Sequence, residues 1–398
     1  MKLTRRLAGN ELAYVSEVLD AEFSGSRNPN FMSRLENAFA DRFESKFAIS
    51  FVNGTATLHA TLEAFGVAPG DEVIVPPLTM SAPALAVLQA NCTPVFADVD
   101  PYSFCINPES ISERVTAKTK AIITVALFGL SPDMDPIMGV AKEHGLRVIE
   151  DNAQCFLGDY KGKLTGTMGD AASFSFQSSK HMTSGEGGMI VTDDEALADR
   201  IRTIQSLGYL ALSAGAGKID KRTIQDPGYA RHGVLGWNYR IPELCAAVAL
   251  AQLEELDRLV AQREYAAMQM LAAAADCEWL KAQTSPYDAR NAYWTVVLRL
   301  DRDDIDFQRF RDKFREFGGD GIYAAWKLSY LEPLFQNLTM LGRDQFISEA
   351  NRTHYKEGYC PVAERVAPRL LQFKTNYFDN DSLERQVQAL QETIRYFT

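Results

Sequence analysis

Cysteine and histidine are scarce in this chain, and neither type is spaced for metal or disulfide chemistry. Six cysteines (Cys92, Cys105, Cys155, Cys245, Cys277 and Cys360) stand apart without a CxxC pair, and the five histidines are dispersed. No metal centre or disulfide framework is expected, and scattered free thiols point to the cytoplasm. Positive charge is also in deficit. A net charge of −11 at pH 7 opposes nucleic acid or an anionic membrane as the main partner, while leaving room for a local basic pocket around a phosphate. Long apolar runs are missing too: MKLTRRLAGNELAYV has two arginines with no hydrophobic stretch behind them, so it reads as neither signal peptide nor membrane span. No repeat or low-complexity segment is visible. What is present is a globular composition, 46% hydrophobic over 398 residues, enough for two domains or one large one with an appendage.

The stretch SFSFQSSKHMTSGEGG, Ser173 to Gly188, organises the rest. Alternating serine and phenylalanine predict a buried strand that ends in a polar turn with one lysine, Lys180, before a glycine-rich run. A lysine held out of solvent loses its proton more readily and attacks carbonyls. Most lysines beside glycine turns are merely solvated, so this pattern alone leaves both readings open.

Upstream, residues 10–22 predict a helix, SGSRNPN a loop, and Ser33 with Glu36 a capping box for a helix buried through Leu35, Phe39 and Phe43. A strand at Phe47 to Phe51 runs into Asn53-Gly54-Thr55 and a helix carried by Leu58, Leu62 and Phe65. A strand, a glycine and a hydroxyl residue at a helix start make a phosphate cradle from unpartnered amides; the alternative is that Thr55 is only a cap. Strands and helices then alternate from Val73 to Gly145, which implies right-handed crossovers and a largely parallel sheet covered on both faces. The strand Leu146 to Ile149 delivers Glu150-Asp151-Asn152-Ala153-Gln154. An acid at a strand's carboxyl end lies where ligands bind in such sheets, although Asp151 could equally cap the next segment. After a small hairpin near Tyr160 to Gly169 and the Lys180 strand, Asp193 is expected to cap a helix over 194–206. Residues 207–235 form a long irregular stretch, Pro242 opens a helical run toward Leu259, and the pattern beyond 260 indicates a smaller α/β unit. The expected division is 1–259 and 260–398.

Together Gly54-Thr55, the Glu150 to Gln154 run, Ser175, Lys180, Gly185-Glu186-Gly187-Gly188 and Asn238-Tyr239-Arg240 resemble the DegT/StrS type of pyridoxal-phosphate-dependent sugar aminotransferases, a fold type I, aspartate aminotransferase-like group. The likeness runs from about residue 20 to 256 and is weaker beyond, at Cys360 to Glu364. It implies pyridoxal 5′-phosphate as cofactor, with pyridoxamine 5′-phosphate as intermediate, and ping-pong transfer from glutamate or glutamine to a nucleotide-linked 3-keto or 4-keto sugar. By the same resemblance Lys180 carries the cofactor as a Schiff base and moves the substrate proton, and Asp151 keeps the pyridine nitrogen protonated. Gln154 would lie beside the ring, Gly54, Thr55 and Ser175 would hold the phosphate, and Asn238 would reach that phosphate from the partner subunit of a homodimer. Met80, after Thr79, stands where many members have a stacking aromatic ring; it is carried as a weaker cofactor contact. A keto-cyclitol substrate is an open alternative. A sugar dehydratase is opposed by Lys180, because such relatives have histidine there, and a non-catalytic cofactor-binding regulator is the reading from another class.

Overall fold

The computed structural model describes residues 1–24, 29–215, 217, 219–337 and 355–398. Its strands begin, in chain order, with β1 (Phe47–Phe51), β2 (Glu72–Val75), β3 (Thr93–Phe96), β4 (Thr119–Val125) and β5 (Arg147–Asp151). They continue with β6 (Asp159–Tyr160), β7 (Lys163–Leu164), β8 (Ala171–Ser175) and β9 (Gly188–Thr192). Seven of these form one sheet in the order β1-β9-β8-β5-β4-β2-β3. Pairs β2–β3, β2–β4, β4–β5 and β5–β8 are parallel, whereas β9 is antiparallel to both its neighbours. The expected α/β architecture with a mostly parallel sheet is therefore present. The exception has a local cause: a parallel return requires a crossover long enough to recross the sheet, whereas β8 and β9 are joined by the loop 176–187, which carries Lys180. Strands β2, β8 and β9 are buried along their whole length, as expected of a sheet covered on both faces.

Several local expectations are corrected. Ser33 and Glu36 do not form a capping box. The helix Phe31–Arg42 begins after Asn30, Ser33 Oγ turns back to Asn30 Oδ1 at 3.2 Å, and Glu36 is drawn into the interior. There it accepts from the Ser50 amide (2.9 Å) and hydroxyl (2.7 Å) and pairs with Arg202 at 2.6 Å. A buried carboxylate needs partners for every lone pair, and that requirement outweighs a surface cap. Asp194, not Asp193, caps the helix Glu195–Gln205, accepting from Leu197 at 3.1 Å, because Asp193 instead accepts from the Lys46 amide. The helical run after Pro242 is two helices, Glu243–Glu254 and Leu256–Ala274, with a break at Glu255. The stretch 207–235 contains one short helix, Lys221–Gln225; its residues 216 and 218, and residues 25–28 of the expected SGSRNPN loop, lie outside the described set.

The remaining strands are β10 (Leu280–Ala282), β11 (Ala289–Arg290), β12 (Thr295–Leu300), β13 (Ile322–Ala324) and β14 (Leu370–Lys374). Four make an antiparallel sheet, β10-β12-β14-β13, and β11 adds to the β6–β7 ribbon. The helix Leu256–Ala274 belongs to two cores: Leu256, Leu259 and Val260 pack with the first, Ala267, Met270 and Ala274 with the second. The changeover between the two cores lies between Val260 and Ala267 of this helix. Leu328, Tyr330 and Phe335 return to the core of the larger sheet. No helix among the described residues is long and apolar enough to cross a membrane.

Candidate active site

The strands of the large sheet end around one cavity of about 600 Å³. Val125 ends β4, Asp151 ends β5 and Ser175 ends β8, and all three line it together with Gly54 and Thr55 from the helix that follows β1. Parallel strands present their carboxyl ends on one side of a sheet, so residues far apart in sequence converge there. Gln154, Lys180 and Met80 share the cavity. Asn238 does not line it; its backbone bridges Ser206 and the residue is exposed.

The helix Gly54–Phe65 is capped by Asn53, whose side chain accepts from the Ala56 amide at 2.8 Å. Thr55 is thereby relieved of the capping role, and the amides of Gly54 and Thr55 have no acceptor among the described residues. Two free amides at the positive end of a helix, facing a cavity, suit an anion. Backbone approach is close. A Cβ on Gly54 would lie 3.0 Å from Ser175 Cβ, and one on Gly188 would lie 2.7 Å from the Asn53 carbonyl carbon. Ser175 Oγ accepts weakly from the Gln177 amide at 3.3 Å and keeps its proton to donate.

Asp151 is 5% exposed and accepts from the Ala153 amide at 3.0 Å, so the capping contact exists, but it occupies only one oxygen. Burial raises its pKa to about 6, opposed by that amide and by Lys180. Glu150, its neighbour, points away and accepts from the amides of Gly166, Met168 and Gly169, which folds the loop after β7. Gln154 accepts from the Phe128 amide at 2.8 Å through Oε1, which leaves its amide nitrogen free to donate.

Lys180 has intermediate exposure because it lines an open cavity, yet its amine lies deep enough for burial to lower the pKa to about 8, against the pull of Asp151. The amine sits over the Trp294 ring at 4.4 Å. Trp326 is parallel to both Trp294 and Phe128, with ring centroids 5.9 Å apart in each pair, and Trp294 and Trp326 both reach the cavity. Met80 stands at the rim, 48% exposed. His181 faces elsewhere: it is buried, its Nε2 lies 2.8 Å from the Ala292 carbonyl, and burial pushes its pKa well below the usual value. Sequence reasoning missed Asn53, Trp294, Trp326 and the arginines behind the lysine loop. Only Asn53 had a local signal, since asparagine before a helix is a preferred cap.

An unpartnered amide pair with a hydroxyl, a buried carboxylate and a low-pKa amine in one cavity match the phosphate, ring nitrogen and aldehyde of pyridoxal phosphate. No group of three or more histidine, cysteine or acidic side chains able to hold a metal occurs among the described residues.

The model of the DegT/DnrJ/EryC1/StrS aminotransferase family matches residues 6–377. GDP-perosamine synthase of Caulobacter vibrioides is 40% identical over 301 residues, 74% of this chain and 76% of that protein. The crystal structure of the aminotransferase from Psychrobacter cryohalolentis superposes with a TM-score of 0.86 at 31% identity, covering 98% of both chains. DesV of S. venezuelae, solved in complex with a ketimine intermediate, gives a TM-score of 0.81 at 27% identity over 97% of this chain and 94% of that one. With a family match over nearly its whole length and a site of this chemistry, the chain belongs to the DegT/DnrJ/EryC1/StrS aminotransferase family and is a pyridoxal-phosphate-dependent aminotransferase.

Proposed function

We propose that this enzyme transfers an amino group from glutamate, or glutamine, to a nucleotide-linked 3-keto or 4-keto sugar. The observation that carries this reading is the placement of the Lys180 amine and the Asp151 carboxylate in one cavity beside two free helix-terminal amides. The keto-sugar rests on the likeness to GDP-perosamine synthase, and nothing in the cavity favours a cyclitol. Pyridoxal phosphate, when bound, supplies the aldehyde and the electron-accepting ring through which donor and acceptor exchange the amino group.

The chain's own residues have separate tasks in this reading. Gly54 and Thr55 amides with Ser175 Oγ bind the phosphate. Asp151 holds a proton on the ring nitrogen, since an anion there raises that nitrogen's pKa. The free amide of Gln154 orients the ring oxygen. Lys180 would hold the cofactor through its amine and would move the proton at the substrate carbon, a task for an amine with a pKa of about 8. Trp294 shields one side of that amine from water. Asn238, exposed on its own subunit, completes the phosphate site of a partner, which makes the enzyme a homodimer. The cytoplasmic assignment rests on six unpaired cysteines.

Borohydride reduction and peptide mapping test the core of this proposal: the pyridoxyl label is expected on Lys180, and a label on another lysine refutes it. Mixing the pyridoxamine-loaded enzyme with nucleotide-linked keto-sugars and keto-inositols, while following return of the pyridoxal absorbance, tests the substrate. Turnover confined to the inositols would replace the sugar.

A further inference from the structure

We propose that Arg263 is the positioning residue for Lys180: it grips the lysine's own main chain as a buried cation that no carboxylate neutralises, and so keeps the amine free to react. The inference rests on the reading of Lys180 as the cofactor lysine.

Arg263 comes from the helix Leu256–Ala274 and is 4% exposed. Its Nη2 donates to the carbonyls of Ser179 (2.7 Å) and Lys180 (2.9 Å), and its Nη1 to the Trp294 carbonyl (2.9 Å) and Thr375 Oγ1 (3.1 Å). Arg6 arrives from the N-terminal segment and donates to the carbonyls of Ser178 and Lys180. The Trp294 indole N–H also donates to Ser179, at 2.9 Å. The lysine's carbonyl is thus held by two guanidinium groups, and the backbone on which its side chain pivots is tied to three distant segments. A planar guanidinium with five fixed donors can bridge these acceptors together; an ammonium cannot.

The missing counter-ion matters as much as the grip. Among the described residues no carboxylate lies within ion-pair distance of Arg263 or Arg6. Buried charges are usually paired, and here carbonyl dipoles satisfy the donors without cancelling the charge. The charged groups acting on the amine are Asp151 from β5, which raises its pKa, and Arg263, which lowers it; Glu186 stands on the cavity wall, and His181 is turned to the Ala292 carbonyl and held neutral. A carboxylate beside Arg263 would cancel the one cation that opposes Asp151. The crowding registers on Arg263 itself, whose pKa burial and Arg6 bring down to about 9.

The test titrates the amine directly. The cofactor-free full-length chain is treated with formaldehyde and cyanoborohydride across the range from about pH 6 to about pH 10, and methylation of the Lys180 peptide is followed by mass spectrometry. Arg263→Gln should raise the midpoint measurably above wild type and reduce labelling at neutral pH, while burial keeps it below the ordinary lysine value. Arg263→Lys keeps the charge and should stay near the wild-type midpoint. An unmoved midpoint in folded Arg263→Gln overturns the proposal, because a merely structural role changes stability and not titration. Should Arg263→Gln not fold, Arg263→Lys decides by hydrogen exchange: faster exchange of the amides of 178–181 supports the grip, and wild-type protection overturns it. Failure of the functional reading would look different, as a borohydride-trapped label on another lysine of the wild-type protein.

Discussion

Replacing Asp151 by asparagine should move two measurable properties of this enzyme in opposite directions. The asparagine carbonyl can still accept from the Ala153 amide, now at 3.0 Å, so the turn after β5 should survive. The charge is what disappears. With a pKa of about 6, Asp151 is about nine-tenths ionised at pH 7 in the cofactor-free protein. Lys180, at about 8 instead of its ordinary 10.5, has about a tenth of its amine free at that pH, roughly 300-fold more than an unperturbed lysine. The Asp151 carboxylate raises the lysine pKa, so removing it lowers that value further, and labelling of Lys180 at pH 7 should increase, with a ceiling of about tenfold set by complete deprotonation. The amino-transfer half-reaction should nevertheless slow about 10²- to 10⁴-fold, a loss of about 3–5 kcal/mol, because the ring nitrogen has lost its counter-anion. Reductive labelling and stopped-flow absorbance measure the two properties on one preparation. A half-reaction within about threefold of wild type would reduce Asp151 to a cap, and a fall in labelling would refute the assigned electrostatics.

Other residues give independent checks. Gly188→Ala would place a methyl 2.7 Å from the Asn53 carbonyl carbon and 3.0 Å from the Gly54 amide nitrogen, so the start of the helix Gly54–Phe65 must shift; on the proposed phosphate role, cofactor affinity should fall about tenfold or more while circular dichroism is retained. Glu36→Ala would strand the buried Arg202 guanidinium and the Ser50 amide, and denaturant unfolding should reveal a loss of about 3–5 kcal/mol with little effect on the cofactor spectrum of the surviving fold. Lys180→Ala and Asn238→Ala, each inactive or weakened alone, should regain activity when mixed as heterodimers; no recovery would remove Asn238 from the partner's site.

Apolar runs and alternation identified the strands, and local patterns at their ends singled out Gly54-Thr55, Asp151 and Lys180 as candidates. Such signals are local: a strand, a turn and a helix start are each specified within a few residues, and parallel strands in one sheet have little choice about where their ends meet. The resemblance then supplied the chemistry for these candidates and added Gln154, Ser175, Asn238 and Met80. Local reading failed where a side chain had competing uses. Ser33 and Glu36 have the spacing of a capping box, but Glu36 was claimed by Ser50 and Arg202, the latter 166 positions away. Nothing near Arg263, Trp294 or Arg6 marks them, because they reach the lysine loop across 84, 115 and 172 positions of chain. The sequence by itself therefore singled out Lys180 as the candidate lysine and determined the kind of sheet on which it sits. What surrounds that lysine from behind was decided by tertiary packing, since burial of a charge and the acceptors that satisfy it exist only once distant segments share one interior.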